Sequence, residues 1–192
     1  MHVLRVVRVL LPLLIVAALV GAASSVLSAR PDLQKAKRNV DASWTSVSGQ
    51  LDNRYVLLAK VDDNLRPVPG PMHAIVTDLD TALAHWRAVH LHSSVATQVN
   101  AANDVEALAR RLLLTEKTSP RVQGNATILN AIRDYDVVSS MTAATAFNQR
   151  VVSYARERRG PVRAVVARLV GDGEIPALDT TPTPTSGTGA SA

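Results

Sequence analysis

Three histidines fall close together, at His85, His90 and His92, and paired carboxylates occur at Asp62/Asp63 and Asp78/Asp80. These residue types hold metals or move protons, so their spacing decides whether chemistry follows. A zinc helix carries its histidines at i and i+4, where they share one face. Separations of five and two put these three on different faces. Carboxylates side by side on a helix point apart and suit surfaces and caps rather than paired acid/base work. The chain has no cysteine, which removes disulfides, thiolate nucleophiles, Cys-ligated zinc, iron–sulfur clusters and lipid attachment through an N-terminal Cys. It also lacks a Gly-rich phosphate loop, Gly-x-Ser-x-Gly and His-Glu-x-x-His. The sequon at Asn125, Ala126 and Thr127 doubles as a helix cap. The expectation is a non-enzymatic protein with no cofactor, no metal site and no catalytic residue.

Charge is the other resource. A net charge of +5 and a pI near 10.1 suit an anionic partner. The basic residues gather in two places: Arg30, Lys35, Lys37 and Arg38 early, then Arg150, Arg156, Arg158, Arg159, Arg163 and Arg168 late. Nucleic-acid grooves interleave such charges with stacking aromatics, and aromatics make up only 3% of this chain. Nucleic acid is therefore not expected as a partner. Anionic lipid remains.

The elements that position these residues are helical. Apolar residues at Leu33, Ala36, Val40, Trp44, Val47, Leu51, Tyr55, Leu58, Val61 and Leu65 recur in steps of three or four, one face of a helix roughly 50 Å long. The prolines of residues 66–71 end it, because each lacks an N–H and restricts the residue before it. A second helix, from about Met72 to Ser93 and Ser94, presents Met72, Ile75 or Val76, Leu79, Leu83, Trp86 and His90. Asn103 with Glu106 reads as the capping-box start of a third helix, with Val105, Leu108, Leu112 and Thr115 on its face and a stop by Ser119 and Pro120. Asn125 caps a fourth, running to Arg159, whose stripe is Ile128, Ile132, Tyr135, Val138, Thr142, Thr145, Gln149 and Val152. Gly160 and Pro161 stop it. A short segment follows to Val170, with Val162, Val165, Val166, Leu169 and Val170 opposite Arg163 and Arg168. The fold class expected is all-α, an antiparallel bundle of about four long helices over residues 33–170.

In such a bundle the fourth helix returns to the end where the first begins, bringing the two basic clusters together. Within a Debye length of an anionic leaflet each such charge is worth about 1 kcal/mol, so Arg156, Arg158, Arg159, Arg163 and Arg168 are candidate lipid-facing residues. The alternative is a solvated basic face. The membrane itself is implied by residues 9–29, an uncharged run long enough as a helix to cross a hydrocarbon core of ~30 Å. Residues 1–8, with Arg5 and Arg8, form a basic lead. The run exceeds an ordinary signal-peptide core, which favours a retained transmembrane helix, a signal anchor, over a cleaved signal. Lys and Arg counts on the two sides put the bundle inside, whereas a basic lead into a signal anchor puts it outside. The tail, residues 171–192, is rich in Gly, Pro, Thr and Ser and reads as disordered. Its Thr/Pro run resembles the glycan-bearing stalks of exported proteins, which tips the bundle toward the extracytoplasmic side, although a bare flexible terminus is the better reading of the run. The cytoplasmic face and secretion after cleavage are the alternatives.

The first helix also resembles a known family. Trp44, Val47, Gln50, Leu51, Arg54, Tyr55 and Leu58 follow the pattern Trp-x-x-Ile/Val-x-x-Gln-Leu-x-x-Arg-Tyr-x-Leu-Ile of the LemA family. Later segments match more loosely: Leu108, Arg111, Leu112, Glu116 and Pro120, then Phe147, Asn148, Val151 and Tyr154. The chain departs from the pattern at Ala59 and Lys60, in the proline-rich break, at Ser119 and at Phe147, as a divergent member would. The resemblance implies a membrane-anchored bacterial helical bundle and carries no catalytic residues. Read physically, Trp44, Val47, Leu51, Tyr55 and Leu58 are core, and Gln50 and Arg54 flank the seam, able to bridge a carboxylate such as Asp134 or Asp136. The function expected is a single-pass, membrane-anchored scaffold or adaptor with unidentified protein partners, or else a module that binds anionic lipid through its basic collar.

Overall fold

The computed structural model describes residues 2–137, 142–169 and 173–179. Side chains are described from Arg30 onward, save those of residues 136, 137, 142, 161, 162 and 169. Among these residues seven helices follow in order: α1 (His2–Leu65), α2 (Pro71–Val89), α3 (Val95–Glu116), α4 (Pro120–Gln123), α5 (Ala126–Val137), α6 (Thr142–Glu157) and α7 (Pro161–Leu169). Among the described residues there is no strand. The molecule is all-α.

The spine is α1. Its backbone is helical for 64 residues. The apolar run and the amphipathic stretch predicted as separate elements therefore share one helix. From Leu33 on, every stripe residue is buried except Ala36, which is half-buried. Five other helices pack on it: α2, α3, α5, α6 and α7. Ion pairs and ring contacts give the directions. Trp86 meets Asp52 while Arg66 reaches Asp80, so α2 runs back along α1. Trp44 meets Gln98 and Arg54 meets Glu106, so α3 runs with α1. Arg54 meets Tyr135 and Trp44 meets Phe147, so α5 and α6 run against it. This is an up-down-up-down bundle. Every aromatic side chain of the chain is buried in it.

Two turns are built alike. Gly70 and Gly160 take φ of 92° and 113°, a region closed to most L-residues, and each is followed by a proline that opens the next helix. Other starts are capped by side chains. The Asn125 oxygen accepts the N–H groups of Thr127 and Ile128 at 3.0 and 3.3 Å, the cap the sequence predicts.

Three expectations are corrected. The third helix begins at Val95, with Ser94 Oγ accepting the Thr97 N–H, so Asn103 and Glu106 lie mid-helix and form no capping box. Along the fourth, the period set by Ile128, Ile132 and Tyr135 predicts Thr145, Gln149 and Val152 as core, yet these are exposed. The buried residues of α6 are Ala144, Phe147, Val151 and Tyr154, a face shifted by about one residue step of 100°. Val138 and Thr142 lie outside the described side chains. Finally, residues 173–179 of the predicted disordered tail form an extended strap with Ile175 and Leu178 buried. Two aliphatic anchors three residues apart suffice, because side chains of α3 and α6 pair the strap's backbone. The rest of the tail, residues 170–172 and 180–192, lies outside the described residues.

One carboxylate is placed against its chemistry. Asp62, 2% exposed, faces Asp80 across the α1–α2 turn, with Asp63 and Arg66 beside it. Burial first, then repulsion from Asp80, raises it to about 6, while Arg66 pulls the other way. The folded chain thus holds a proton on Asp62 that the unfolded chain releases near the usual 3.8. The contribution of this carboxyl to stability is full below about 3.8 and is lost as pH rises through about 6. Asp62→Asn should raise stability at pH 7 by about 1–2 kcal/mol, discounted for screening at the exposed neighbours, and change little at pH 4. Urea unfolding at both pH values checks this.

Candidate functional site

The polar groups of this bundle gather at two places, a seam buried between α1, α3 and α5 and the basic end where α1 and α6 meet. At the seam's centre Arg54, 9% exposed, donates from Nη1 to Glu106 Oε1 at 2.9 Å and from Nη2 to the Tyr135 hydroxyl at 2.7 Å. Its guanidinium carbon also lies 4.7 Å from the Tyr135 ring centroid. The Tyr55 hydroxyl donates to the Ala102 carbonyl at 3.2 Å, with the Glu106 carboxylate close by. Burial pushes Glu106 above the usual carboxylate range, with Arg54 opposing it, and holds the Tyr55 hydroxyl well above its usual value. Tyr55 therefore remains a neutral donor.

Two tryptophans extend the seam. Trp44 Nε1 donates to Gln98 Oε1 at 2.6 Å, and Gln98 Nε2 in turn donates to the Ser93 carbonyl. Trp86 Nε1 donates to Asp52 at 2.9 Å, and His90 stacks on the Trp86 ring with Nε2 3.8 Å from the same carboxylate. Each indole N–H thus finds an acceptor, as burial requires. Two surface grooves among the described residues, one lined by Leu57, Lys60 and Asp134 and the other by Lys35, Asn39 and Arg150, leave Arg54 and Glu106 out of their walls. A buried acid paired with a cation is suited to holding helices in register. Among the described residues, no group of three or more His, Asp or Glu is placed to hold a metal.

The motif residues of α1, Gln50 apart, sit where a core requires them. Trp44, Val47, Leu51, Tyr55 and Leu58 are buried, as are Phe147 and Tyr154 of α6. Arg54 does bridge a carboxylate, but that partner is Glu106 on α3. Asp134 is exposed, and the side chain of Asp136 lies outside the described residues. Gln50 does not line the seam; it faces solvent. Asn148 is half-buried and bonds the strap. Glu106 and Gln98 were legible in principle: both fall on the apolar stripe of α3 with Val99, Ala102, Val105 and Ala109, and a charge or amide at a core position needs a buried partner.

The basic end forms where the antiparallel path predicts it. Lys35 and Asn39 of α1 share one surface groove with Arg150, Ser153 and Glu157 of α6. Arg156, Arg159 and Arg168 are exposed, whereas Arg158 lies over the Tyr154 ring at 5.6 Å and Arg163 pairs with Glu157. Lys37 pairs with Asp41 at 2.7 Å. Asp32 sits in the same groove. The short helix α7 packs on α1 and buries Val166 and Ala167, while Val165 is exposed, so its predicted apolar face is divided between bundle and solvent.

Removing one member of the buried pair strands the other charge. Arg54→Met or Glu106→Leu alone should each cost about 3–5 kcal/mol, while the double variant should cost less than either single one. Thermal and urea unfolding of the four chains in a double-mutant cycle measures this. Equal and additive losses would contradict the pairing.

Compared with known proteins, the chain finds no matching family model, no matching curated protein and no matching solved structure.

Proposed function

We propose that this chain is a single-pass, membrane-anchored helical bundle of LemA type that acts as a non-catalytic scaffold or adaptor for membrane or envelope proteins. The observation that carries the reading is the continuity of α1, which joins the apolar run of residues 9–29 to the buried spine of the bundle without an intervening loop. A rigid link of this kind holds the bundle at a fixed attitude to the bilayer, as a docking platform needs. Among the described residues no helix is long and apolar enough to cross a membrane; the side chains of the apolar run lie outside them. Most residues of the family pattern serve the core, Gln50 and Asn148 apart, which supports an architectural role for the pattern. The bundle is assigned to the extracytoplasmic side.

The alternative reading is a module that binds anionic lipid through the basic end. It is favoured by the shared groove of Lys35 and Arg150 and by the exposure of Arg156, Arg159 and Arg168, and opposed by the acids interleaved there, Asp32, Asp41 and Glu157. Lipid binding by arginines weakens as salt shortens the Debye length, whereas an apolar helix contact does not.

Single cysteines at Ser46 and Ser186 of this cysteine-free chain, probed in intact cells with a membrane-impermeant maleimide, test the anchor and its orientation. Labelling of cell-bound protein at both sites is expected. Protection until lysis would reverse the orientation, and release of the protein to the medium would overturn the anchor.

A further inference from the structure

The strap of residues 173–179 is held as a peptide is held by a receptor. Asn148 on α6 pairs both backbone groups of Leu178: its Nδ2 donates to the carbonyl at 2.8 Å and its Oδ1 accepts the N–H at 2.8 Å. Asn103 on α3 takes the opposite edge, donating to the Ala177 carbonyl at 3.0 Å and accepting the Asp179 N–H at 2.8 Å. In extended chain the N–H and C=O of one residue point to one side, and the flanking C=O and N–H point to the other. Two asparagine amides therefore replace the two neighbouring strands that a β-strand would have in a sheet. Side chains supply the rest: Ile175 and Leu178 are buried, Arg110 Nη2 donates to Asp179 Oδ2 at 2.6 Å, and the Tyr154 hydroxyl donates to the Gly173 carbonyl at 3.2 Å. The strap fills a seam at which α3 and α6 make little direct contact.

We propose that the α3–α6 seam is a peptide-recognition groove that the chain's own strap occupies in cis, and that it accepts in trans an extended segment of the same chemistry from a partner protein. That segment carries two aliphatic residues three apart followed directly by a carboxylate, the pattern of Ile175, Leu178 and Asp179. The asparagine contacts read main chain and accept any extended sequence. Selection comes from the two apolar sites and from Arg110. The tether gives the cis strap a high effective concentration, so trans binding is weak until the strap is released. None of this rests on the membrane reading above.

The probe is a fluorescent, terminally blocked peptide of residues 173–179, titrated against the full chain in detergent micelles. A chain carrying Ile175→Ser and Leu178→Ser vacates the groove, and its helical circular dichroism is checked first. The vacated chain should bind the peptide at least tenfold more tightly than the unaltered chain does. Adding Asn148→Ala should cost at least tenfold, and a peptide with Ala in place of Leu178 should not compete. A folded vacated chain that binds no better than the unaltered one, or that ignores Asn148→Ala, overturns the proposal. Should the vacated chain lose its fold, amide hydrogen exchange of the unaltered chain decides. Leu178 and Asp179 amides exchanging at least a hundredfold faster than that of Leu112 support a strap that leaves a folded bundle; equal rates overturn it. A concentration-dependent dimer of the unaltered chain would assign the groove to the strap of a second copy, and that too overturns a partner protein.

Discussion

Arg54 and Glu106 meet at 2.9 Å inside a core made mostly of aliphatic and aromatic side chains, and that contact constrains the rest of the bundle. Apolar packing is non-directional. Helices rich in Val, Leu and Ala can slide by a turn and still bury comparable area. A buried charge cannot slide, because losing its partner costs several kcal/mol. Arg54 reaches α3 through Glu106 and α5 through Tyr135, so one residue of α1 sets the register of two neighbours. The indole of Trp44 on Gln98 and that of Trp86 on Asp52 add pins further along α1, the second one fixing α2. The raised pKa of Glu106 shows what this specificity costs: burial disfavours its charge even beside a guanidinium.

With register fixed, the surface follows. The antiparallel return of α6 brings Arg150 to Lys35 and gathers most of the exposed arginines at the end of the bundle next to the apolar run. The opposite end carries the carboxylates Asp62, Asp63, Asp78 and Asp80 around the α1–α2 turn. The bundle's third feature, the strap, closes a seam that helix–helix packing leaves thin, and it does so with main-chain pairing supplied by two asparagines.

Much of this was legible in the residues. The spacing of Leu33, Val40, Trp44, Val47, Leu51, Tyr55, Leu58, Val61 and Leu65 specifies one face of one helix, because α-helical period and apolar burial leave no other reading, and all of them are buried. The proline-rich stop after Leu65 and the Asn125 cap are equally local signals. What failed was non-local. The start of α3 competes between two caps of similar chemistry, and Ser94 wins because Val95 and Val99 extend the helix forward into the core. The stripe of α6 lost phase because a period carried across some twenty residues accumulates error, while Phe147 and Tyr154, the large residues nearest, marked the true face. The strap was invisible because its Gly, Pro and Ala composition describes a free tail unless Asn103 and Asn148 are known to lie on either side of it. The partner of Arg54 depended on the same kind of information.

Under the proposed anchoring, α1 is one continuous rod that leaves the bilayer at the basic end and carries the bundle away from it. Energy transfer measures this directly: the full chain is reconstituted in liposomes with acceptor-labelled headgroups, and a donor is attached at Asn39→Cys or at Lys60→Cys. The two positions are ~32 Å apart along the helix. Strong transfer from position 39 and weak transfer from position 60 is the predicted result. Equal transfer from both would mean that the bundle lies flat on the membrane or is not held by α1, and would contradict the account.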